Sequence, residues 1–277
     1  MFHKIIIGFK RHPKRFLLSF ALGYTALWTL VEPISSILSL QLSDYRVQYL
    51  VTYFLLSLII GIISIWPRKK VSFKLHNTNT SVVIEFGDLF KSDGHRVIAV
   101  NEYFDSEIGD LVSIKSVHGL FVRKTLGGHK NILDDAVTAQ LANTNSTDVI
   151  RPKGKTKKFE LGTTITIDHD NTTYFLFALA NSDNHYKATC SPELMLKALN
   201  GLWEKIRNKG NGYDVNIPLV GGGLSGIGLP SSQLLQLILI SLLQYTKKKD
   251  INATIRVVLL EDVFDSVDLQ LIRYNWQ

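Results

Sequence analysis

Two uncharged apolar runs near the amino terminus constrain this chain more than any other feature of its sequence. The first covers residues 16–31, FLLSFALGYTALWTLV, and the second covers residues 49–66, YLVTYFLLSLIIGIISIW. A helix that crosses a bilayer needs about 20 predominantly apolar residues, so the second run is long enough by itself. The first run is shorter and a Glu-Pro pair follows it, and we expect its helix to end near residues 31–40. The sequence therefore predicts an N-terminal two-helix transmembrane hairpin over residues 1–70.

The distribution of charge predicts how this hairpin is oriented. The chain has 31 Lys and Arg residues against 24 Asp and Glu, a net charge of +7. Residues 1–70 contain nine of these cations and two of the acids, so they hold the whole excess, and residues 71–277 are balanced. Five cations precede the first apolar run and three follow the second. Because Lys and Arg stay on the cytoplasmic side, we expect a multi-pass membrane protein with both termini in the cytoplasm.

The remaining composition narrows the partners of residues 71–277. A domain with balanced charge has no need of a polyanion, so we expect no nucleic-acid ligand. Cys190 is the only cysteine, which excludes an intramolecular disulfide and suits a reducing compartment. Small residues recur in both apolar runs, and they favour either packing within one hairpin or association between chains. They are Ser19, Ala21, Gly23, Thr25 and Ala26 in the first run, and Ser57, Gly61 and Ser64 in the second.

Alternating strand and helix patterns follow the anchor. Short β-rich runs predict strands at residues 71–75, 81–86, 96–100, 159–167, 172–180, 213–220 and 254–262. Helical periodicity predicts helices at residues 129–142, 191–207, 230–248 and 265–276, and residues 143–158 read as a polar loop. A strand, a glycine-rich turn, a helix and a second strand form a parallel βαβ unit. The expected fold is α/β, with helices flanking a mixed sheet.

The glycine-rich stretch at residues 217–230, IPLVGGGLSGIGLP, is the strongest candidate for a ligand site. Five glycines fall within eight residues, directly after a buried strand and before a helix. Glycine backbone can approach a ligand closely, and free N–H groups beside a helix N-terminus attract anions. We expect this loop to bind a phosphate or diphosphate, although it matches neither the P-loop nor the dinucleotide fingerprint. The alternative is a plain connection between a strand and a helix.

Three short motifs, taken in order, carry a resemblance to a known family. Gly87-Asp88-Leu89-Phe90 follows a strand, Val100-Asn101 ends a buried strand, and a Pro-x-x-Gly-x-Gly-Leu-Ser-Gly loop begins at Pro218. This set resembles the macro domain family over residues 71–277. Together with the two-helix anchor it resembles the membrane-bound effectors of type II Thoeris antiphage systems. The resemblance implies a macro-like domain that binds ADP-ribose or an ADP-ribose derivative.

The resemblance also implies a role for individual residues. Asp88 would accept the adenine amino group and Asn101 would lie near the distal ribose, although Asp88 is also a good turn cap. Phe264 would pack against adenine, with a plain core phenylalanine as the alternative. The diphosphate loop would consist of Gly221, Gly222, Gly223, Leu224, Ser225, Gly226 and Ile227. Leu89, beside Asp88, and Gly119, in the remnant of the family's first glycine-rich loop, complete the ligand-binding set.

Departures from the family pattern argue against catalysis. The family's first loop is Asn-Ala-Ala-Asn followed by a glycine run, but here Glu102-Tyr103-Phe104-Asp105 follows Asn101, and only Ser116-Val117-His118-Gly119 remains of the glycine-rich part. Ser225 occupies the position of the hydrolase branch's Asp. Serine is a poor general base, so we expect no catalytic residue and no turnover. Lys124 and Asp105 are the only candidates for the alternative, a membrane-bound ADP-ribosyl hydrolase. The histidines are scattered without ligand spacing, so we expect neither a metal nor a cofactor.

The same resemblance implies a complete signalling role. A TIR-domain enzyme would produce an ADP-ribose-type signal, with an amino-acid conjugate as one form of it. Binding would make this chain homo-oligomerise and disrupt the lipid bilayer, ending growth of the infected cell. A structural adaptor with an empty macro-like domain is a further alternative. The basic residues of the polar loop read as a solvated face, or as a contact with anionic lipid or ligand phosphates: Arg151, Lys153, Lys155, Lys157 and Lys158.

Overall fold

The chain divides into two compact units, Met1–Arg68 and Lys69–Gln277. In this computed structural model the described residues are 1–37, 45–183, 185–223, 226–251 and 253–276, with residue 46 described by its backbone alone. The predicted site residues Leu224 and Ser225 therefore lie outside the described residues.

The first unit contains three helices in its described residues. They are α1 (Phe2–Arg11), α2 (Pro13–Ile37) and α3 (Arg46–Ser64). By length and composition α2 and α3 could each cross a membrane, and little of either is buried within the protein. The helix of the first apolar run continues through Pro33 and is described as far as Ile37, so the predicted end near residues 31–40 lies partly outside the described residues. The short helix α1 was not predicted from the sequence.

Two of the small residues lie where α2 meets α3. A Cβ built on Gly23 would lie 3.0 Å from Cδ1 of Ile60, and one on Gly61 would lie 2.8 Å from Cε2 of Phe16. The absence of a side chain at both positions therefore lets the two helices approach each other. At these positions the structure supports packing within one hairpin.

The second unit is built on a mixed sheet with strand order β1-β2-β10-β9-β3-β7-β6. Strands β2, β10, β9, β3 and β7 are parallel to their neighbours in that order, and β1 and β6 pair antiparallel at the two edges. The strands of this sheet are β1 (Lys70–Lys74), β2 (Ser81–Phe86), β3 (His95–Asn101), β6 (Thr164–His169), β7 (Thr172–Ser182), β9 (Val215–Pro218) and β10 (Thr254–Leu259). The mixed α/β sheet predicted from the sequence is confirmed.

Helices cover this sheet and complete its core. They are α4 (Val117–Leu120), α5 (Lys130–Leu141), α6 (Pro192–Lys209), α7 (Ser231–Thr246) and α8 (Leu269–Trp276). The Ser191 hydroxyl accepts a hydrogen bond from the Leu194 N–H at 3.2 Å, so it is the N-cap of α6, as predicted. Trp203 of α6 is fully buried, and its indole N–H donates to the Ser241 hydroxyl of α7 at 2.9 Å. This bond satisfies the polar atom of the largest core side chain and ties α6 to α7.

The predicted polar loop at residues 143–158 is partly ordered into a small hairpin. Strands β4 (Ser146–Asp148) and β5 (Lys157–Phe159) pair antiparallel. The two-residue strand β8 (Ala188–Thr189) pairs antiparallel with the end of β7. Phe159 is 4% exposed, and its ring meets Phe104 edge-on at 5.9 Å. Burial of this one aromatic ring fastens the loop to the domain, and strands of three residues are too short to show periodicity in the sequence.

Candidate ligand-binding site

The carboxyl ends of four neighbouring parallel strands bring the predicted residues to one edge of the sheet. Asp88 follows β2, Phe264 follows β10, residues 221–223 follow β9, and Asn101 ends β3. The N–H of Gly87 donates to the carbonyl of Leu259 at 2.8 Å, which joins the ends of β2 and β10. In open α/β sheets, ligands bind in the crevice outside the carboxyl ends of the strands.

Asp88 lies at the start of a short 3-10 helix, Leu89–Lys91. Its Oδ1 accepts the N–H of Phe90 at 3.0 Å, so the turn-capping alternative is present in the structure. The side chain is exposed, and a carboxylate has further lone pairs for a ligand donor. Leu89 differs, because its side chain is only 5% exposed and belongs to the hydrophobic core.

Phe264 is a largely buried residue that ends the 3-10 turn Glu261–Val263 after β10. It is 7% exposed, and its ring meets that of Phe86 edge-to-face at 5.0 Å with an interplanar angle of 62°. Most of the Phe264 side chain is therefore packed in the interior, as expected of a plain core phenylalanine. Only the rim of this aromatic pair could contact a ligand base.

The glycines of the loop after β9 have different surroundings. Gly221 has φ +89°, and a Cβ there would lie 2.6 Å from Cδ1 of Ile227. Gly222 approaches only Leu234, at 3.4 Å, whereas a Cβ on Gly223 would meet no atom of the described residues within 4 Å. Gly221 therefore serves the fold of the loop, while the backbone at Gly223 is open to approach by a ligand.

The second half of this loop leads into α7. Gly226 and Gly228 adopt φ +64° and +74°, the left-handed region that glycine enters without strain. Pro230 is the N-cap of α7 and supplies no capping side chain to the helix N-terminus. The dipole of a 16-residue helix favours negative charge at that end. The loop thus combines unhindered backbone with the electrostatics of an anion site.

Asn101 organises its own turn. Its Oδ1 accepts the N–H groups of Tyr103 and Asp105, both at 3.2 Å, and its Nδ2 donates to Asp105 Oδ2 at 2.9 Å. Phe104 within this turn has φ +52°. The amide of Asn101 therefore holds the chain that replaces the family's glycine run, which limits what it can offer to a ribose.

Gly119 is required by close packing. A Cβ on this residue would overlap the carbonyl oxygen of Ser113, and its N–H already donates to the Ser116 hydroxyl at 2.9 Å. Gly119 is also buried. Both observations explain the glycine without a ligand.

Asp105 is held in a buried ion pair. Its Oδ2 lies 2.9 Å from Nη1 of Arg151, with the two side chains 1% and 8% exposed, and its Oδ1 accepts the Lys155 N–H at 2.9 Å. Arg151 also stacks on the rings of Tyr103 and Tyr186, with its Cζ 3.9 and 5.3 Å from their centroids. A carboxylate with this many partners is a poor general base, which weakens the hydrolase alternative.

The basic residues of the polar loop are largely paired within the protein. Lys155 donates to the carbonyl of Phe104 and pairs with Asp134, both at 2.6 Å, and Lys153 pairs with Asp110 at 2.6 Å on the surface. The prediction of a solvated or lipid-binding charge run is therefore wrong for Arg151 and Lys155. Their positive charges neutralise buried and half-buried acids, a role that spacing along the chain cannot reveal.

The sequence analysis did not foresee that two titratable residues beside this cluster, Glu102 and His118, are buried. Glu102 is fully buried, accepts the Ser182 N–H at 3.1 Å and lies 3.6 Å from Lys158, and burial raises the pKa of its carboxyl. Burial also lowers the pKa of His118 to about 3, so its imidazole is neutral at physiological pH. The position of Glu102 directly after the buried strand β3 was the one signal available for it.

A surface cleft of about 750 Å³ lies at the opposite end of the parallel strands, beside their amino termini. It is formed by the end of α6 and by the turns that precede β9 and β10. Its lining includes Arg207, Asn211, Lys248 and Lys249. The glycine loop lies at the carboxyl ends of the parallel strands. We therefore place the candidate site at those ends and not in this cleft.

Comparisons with known proteins agree with this architecture. Residues 82–260 match the family described as "Thoeris protein ThsA, Macro domain". The Thoeris protein ThsA of Bacillus amyloliquefaciens (strain Y2) is 25% identical over 210 residues, which cover 71% of this chain and 68% of that protein.

Solved structures show the same fold at lower identity. The Oceanobacillus iheyensis macrodomain with ADP aligns with a TM-score of 0.51 and 15% identity, covering 75% of this chain and 98% of that one. A variant of that macrodomain with ADPR aligns with a TM-score of 0.51 and 16% identity, covering 74% and 98%. The second unit therefore has the macro fold.

Proposed function

This chain belongs to the Thoeris ThsA macro domain family, and from that premise we propose that it is a membrane-anchored antiphage effector that senses an ADP-ribose-type signal. The observation that carries the proposal is the convergence of the Asp88 turn, the open glycine loop and Phe264 at the carboxyl ends of neighbouring parallel strands. Macro domain relatives solved with ADP and with ADPR support the choice of ligand class.

In the proposed complex the ligand lies along this edge of the sheet. Asp88 accepts the adenine amino group through the part of its carboxylate that does not cap the turn. The backbone around Gly222 and Gly223, continuing through Leu224, Ser225, Gly226 and Ile227 to the N-terminus of α7, binds the diphosphate. Phe264 presents the rim of its ring to the base, and Asn101 faces the distal ribose. Leu89 supports the Asp88 turn from the core.

We propose that the ligand is bound without turnover. Asp105 is committed to Arg151, and Lys124 is an exposed residue of the π-helical turn Phe121–Thr125. Neither is placed as an activated nucleophile or base. The protein then acts as a receptor, whose ligand shifts it between two states that differ in affinity for the signal.

The two apolar helices supply the output in this proposal. We place α2 and α3 across the bacterial inner membrane with both termini in the cytoplasm, in accordance with the distribution of cations. A TIR-domain enzyme provides the signal, the bound protein homo-oligomerises, and clustering of the hairpins disrupts the bilayer. Growth of the infected cell then stops.

Thermal unfolding of the full-length protein in detergent tests the receptor role. A ligand that binds the folded state raises the melting temperature by mass action, by the equivalent of about 2.7 kcal/mol at a concentration 100 times Kd. We expect a clear shift with ADP-ribose or one of its amino-acid conjugates, and no product by mass spectrometry. A shift accompanied by product would make the protein a hydrolase, and no shift with any of these ligands would favour the adaptor alternative.

A further inference from the structure

The amino-terminal helix α1 has one face packed on the protein and one exposed apolar face. At 100° per residue, Phe2, Ile6 and Phe9 share one face, and they are 79%, 53% and 45% exposed. We refer to these three residues as the apolar stripe. Phe9 also meets Phe16 edge-on at 5.2 Å, yet nearly half of its surface stays exposed. Gly8 lies on the packed face, which leaves the apolar stripe turned away from the protein.

The packed face fixes α1 to the carboxyl end of α3. A Cβ on Gly8 would overlap the carbonyl oxygen of Ile65, so only glycine permits this approach. Ile65 is 1% exposed, and Lys4 Nζ lies 5.9 Å from the ring centroid of Trp66. Tryptophan is enriched where a spanning helix leaves the hydrocarbon region. With α3 across a membrane, α1 is held at the depth of the headgroups.

The charge around α1 selects the partner of the apolar stripe. Residues 1–31 contain five Lys and Arg residues and no Asp or Glu. Lys10 is four residues after Ile6 and therefore lies beside the stripe, and Lys14 follows at the start of α2. A second copy of this segment would bring five more cations, so pairing of two stripes would be opposed by repulsion. An anionic bilayer surface offers both acyl chains for the stripe and opposite charge for the cations.

We propose that α1 is an interfacial helix that binds the surface of an anionic phospholipid bilayer, an inference that rests on the proposed membrane placement of α2 and α3. The apolar stripe enters the boundary between headgroups and acyl chains, and Lys10 and Lys14 contact the headgroups. The protein thereby has a third membrane contact, fixed to the end of α3 through Gly8.

Site-specific fluorescence on the full-length protein in vesicles tests this inference. Burial raises the pKa of the Cys190 thiol to about 11, and Cys190→Ser removes it as a labelling site altogether. In that background, Ile6→Cys and Phe9→Cys each carry an NBD label on the apolar stripe. Asp135→Cys, an exposed position on helix α5 of the second unit, is the aqueous control. Vesicles of phosphatidylglycerol and phosphatidylcholine are compared with vesicles of phosphatidylcholine alone.

We expect the labels at Ile6 and Phe9 to be shielded from aqueous iodide and shifted to the blue in anionic vesicles, while the label at Asp135 is quenched. Replacing Lys14 by Gln in the same background lowers the ratio of bound to unbound α1 by about fivefold, because each cation near an anionic surface contributes that factor to the binding constant. Equal quenching at Ile6, Phe9 and Asp135 in anionic vesicles would overturn the inference. Equal shielding in neutral vesicles would overturn its requirement for anionic lipid.

Alkaline carbonate extraction separates this inference from the proposed anchor. Release of the wild-type protein from membranes by carbonate would overturn the anchor and the interfacial helix together. Retention in the membrane with unshielded labels would leave the anchor in place and overturn the interfacial helix alone.

Discussion

Gly223 is exposed to solvent, whereas Gly221 is buried. Substitutions at the two positions therefore have different consequences. We predict that Gly223→Glu keeps the fold and loses binding of ADP-ribose-type ligands, because a carboxylate there would repel the diphosphate at close range. Gly223→Ala, which adds only a methyl group in open space, is the control and retains binding. Thermal shift with ADP-ribose measures both, and normal affinity of Gly223→Glu would mean that the site lies elsewhere.

Gly221→Ala should act on stability. Its φ of +89° is unfavourable for any residue with a Cβ, and the added methyl group would also press on Ile227. We predict a loss of about 1–3 kcal/mol in the free energy of unfolding, measured by urea denaturation. Wild-type stability in this variant would show that the loop relaxes freely around the substitution.

Glu102 gives the domain a predictable dependence on pH. Because burial raises the pKa of its carboxyl, the folded state binds this proton more tightly than the unfolded state does. The resulting stability is present below the unfolded pKa and is lost as pH rises through the folded pKa. Glu102→Gln keeps an acceptor for the Ser182 N–H and adds a donor near the buried Ser182 hydroxyl, which lacks a described partner.

We therefore predict that Glu102→Gln stabilises the protein by about 1 kcal/mol at neutral pH and removes part of its pH dependence above the unfolded pKa. Melting temperatures of the two proteins from pH 4 to 8 check this, with the variants expected to converge at the acidic end. Destabilisation at neutral pH would indicate that the attraction between Lys158 and the Glu102 carboxylate, 3.6 Å apart, is larger than the cost of burying the Glu102 charge.

Among the elements, the loop at residues 149–158 depends on Arg151. Removing Arg151 leaves the buried carboxylate of Asp105 without its counter-ion, and we predict that Arg151→Ala costs about 3–5 kcal/mol of stability. Lys153→Ala is the matched control, because its ion pair with Asp110 has both side chains more than 60% exposed and should cost less than about 1 kcal/mol. Equal effects of the two substitutions in urea denaturation would contradict the structural role assigned to Arg151.

The elements that sequence patterns missed are the short ones. Hairpin β1–β2, helix α6 and the unit β9-α7-β10 were predicted, because each contains a clear periodic run of apolar residues or a clear helix cap. Helix α1 has only ten residues, too few for its periodicity to stand out beside the longer apolar run that begins at Phe16. Strands β4 and β5 owe their register to the burial of Phe159, a contact that no local pattern encodes.

For the whole molecule, the division into two units predicts that sensing and output are separable. Residues 69–277 contain their own core and every described site residue, so we expect this fragment to bind the signal with the affinity of the full chain. We also expect cells expressing the fragment to keep growing when the signal is supplied, whereas cells with the full chain stop. Growth arrest by the fragment would show that the hairpin is dispensable for the output.

Periodicity and composition along the chain were enough to predict the two apolar helices, the α/β class and the order of the glycine loop among its strands. Motifs singled out Asp88, Asn101 and Gly223 as site candidates. The packing of the folded chain was needed to show that Gly119 and Gly221 are packing glycines, that Phe264 is mostly core, and that Arg151 is the buried partner of Asp105. Each of these depends on atoms brought together from distant parts of the chain. Burial makes an unpaired charge costly, and close packing leaves no space for a side chain beside some Cα atoms.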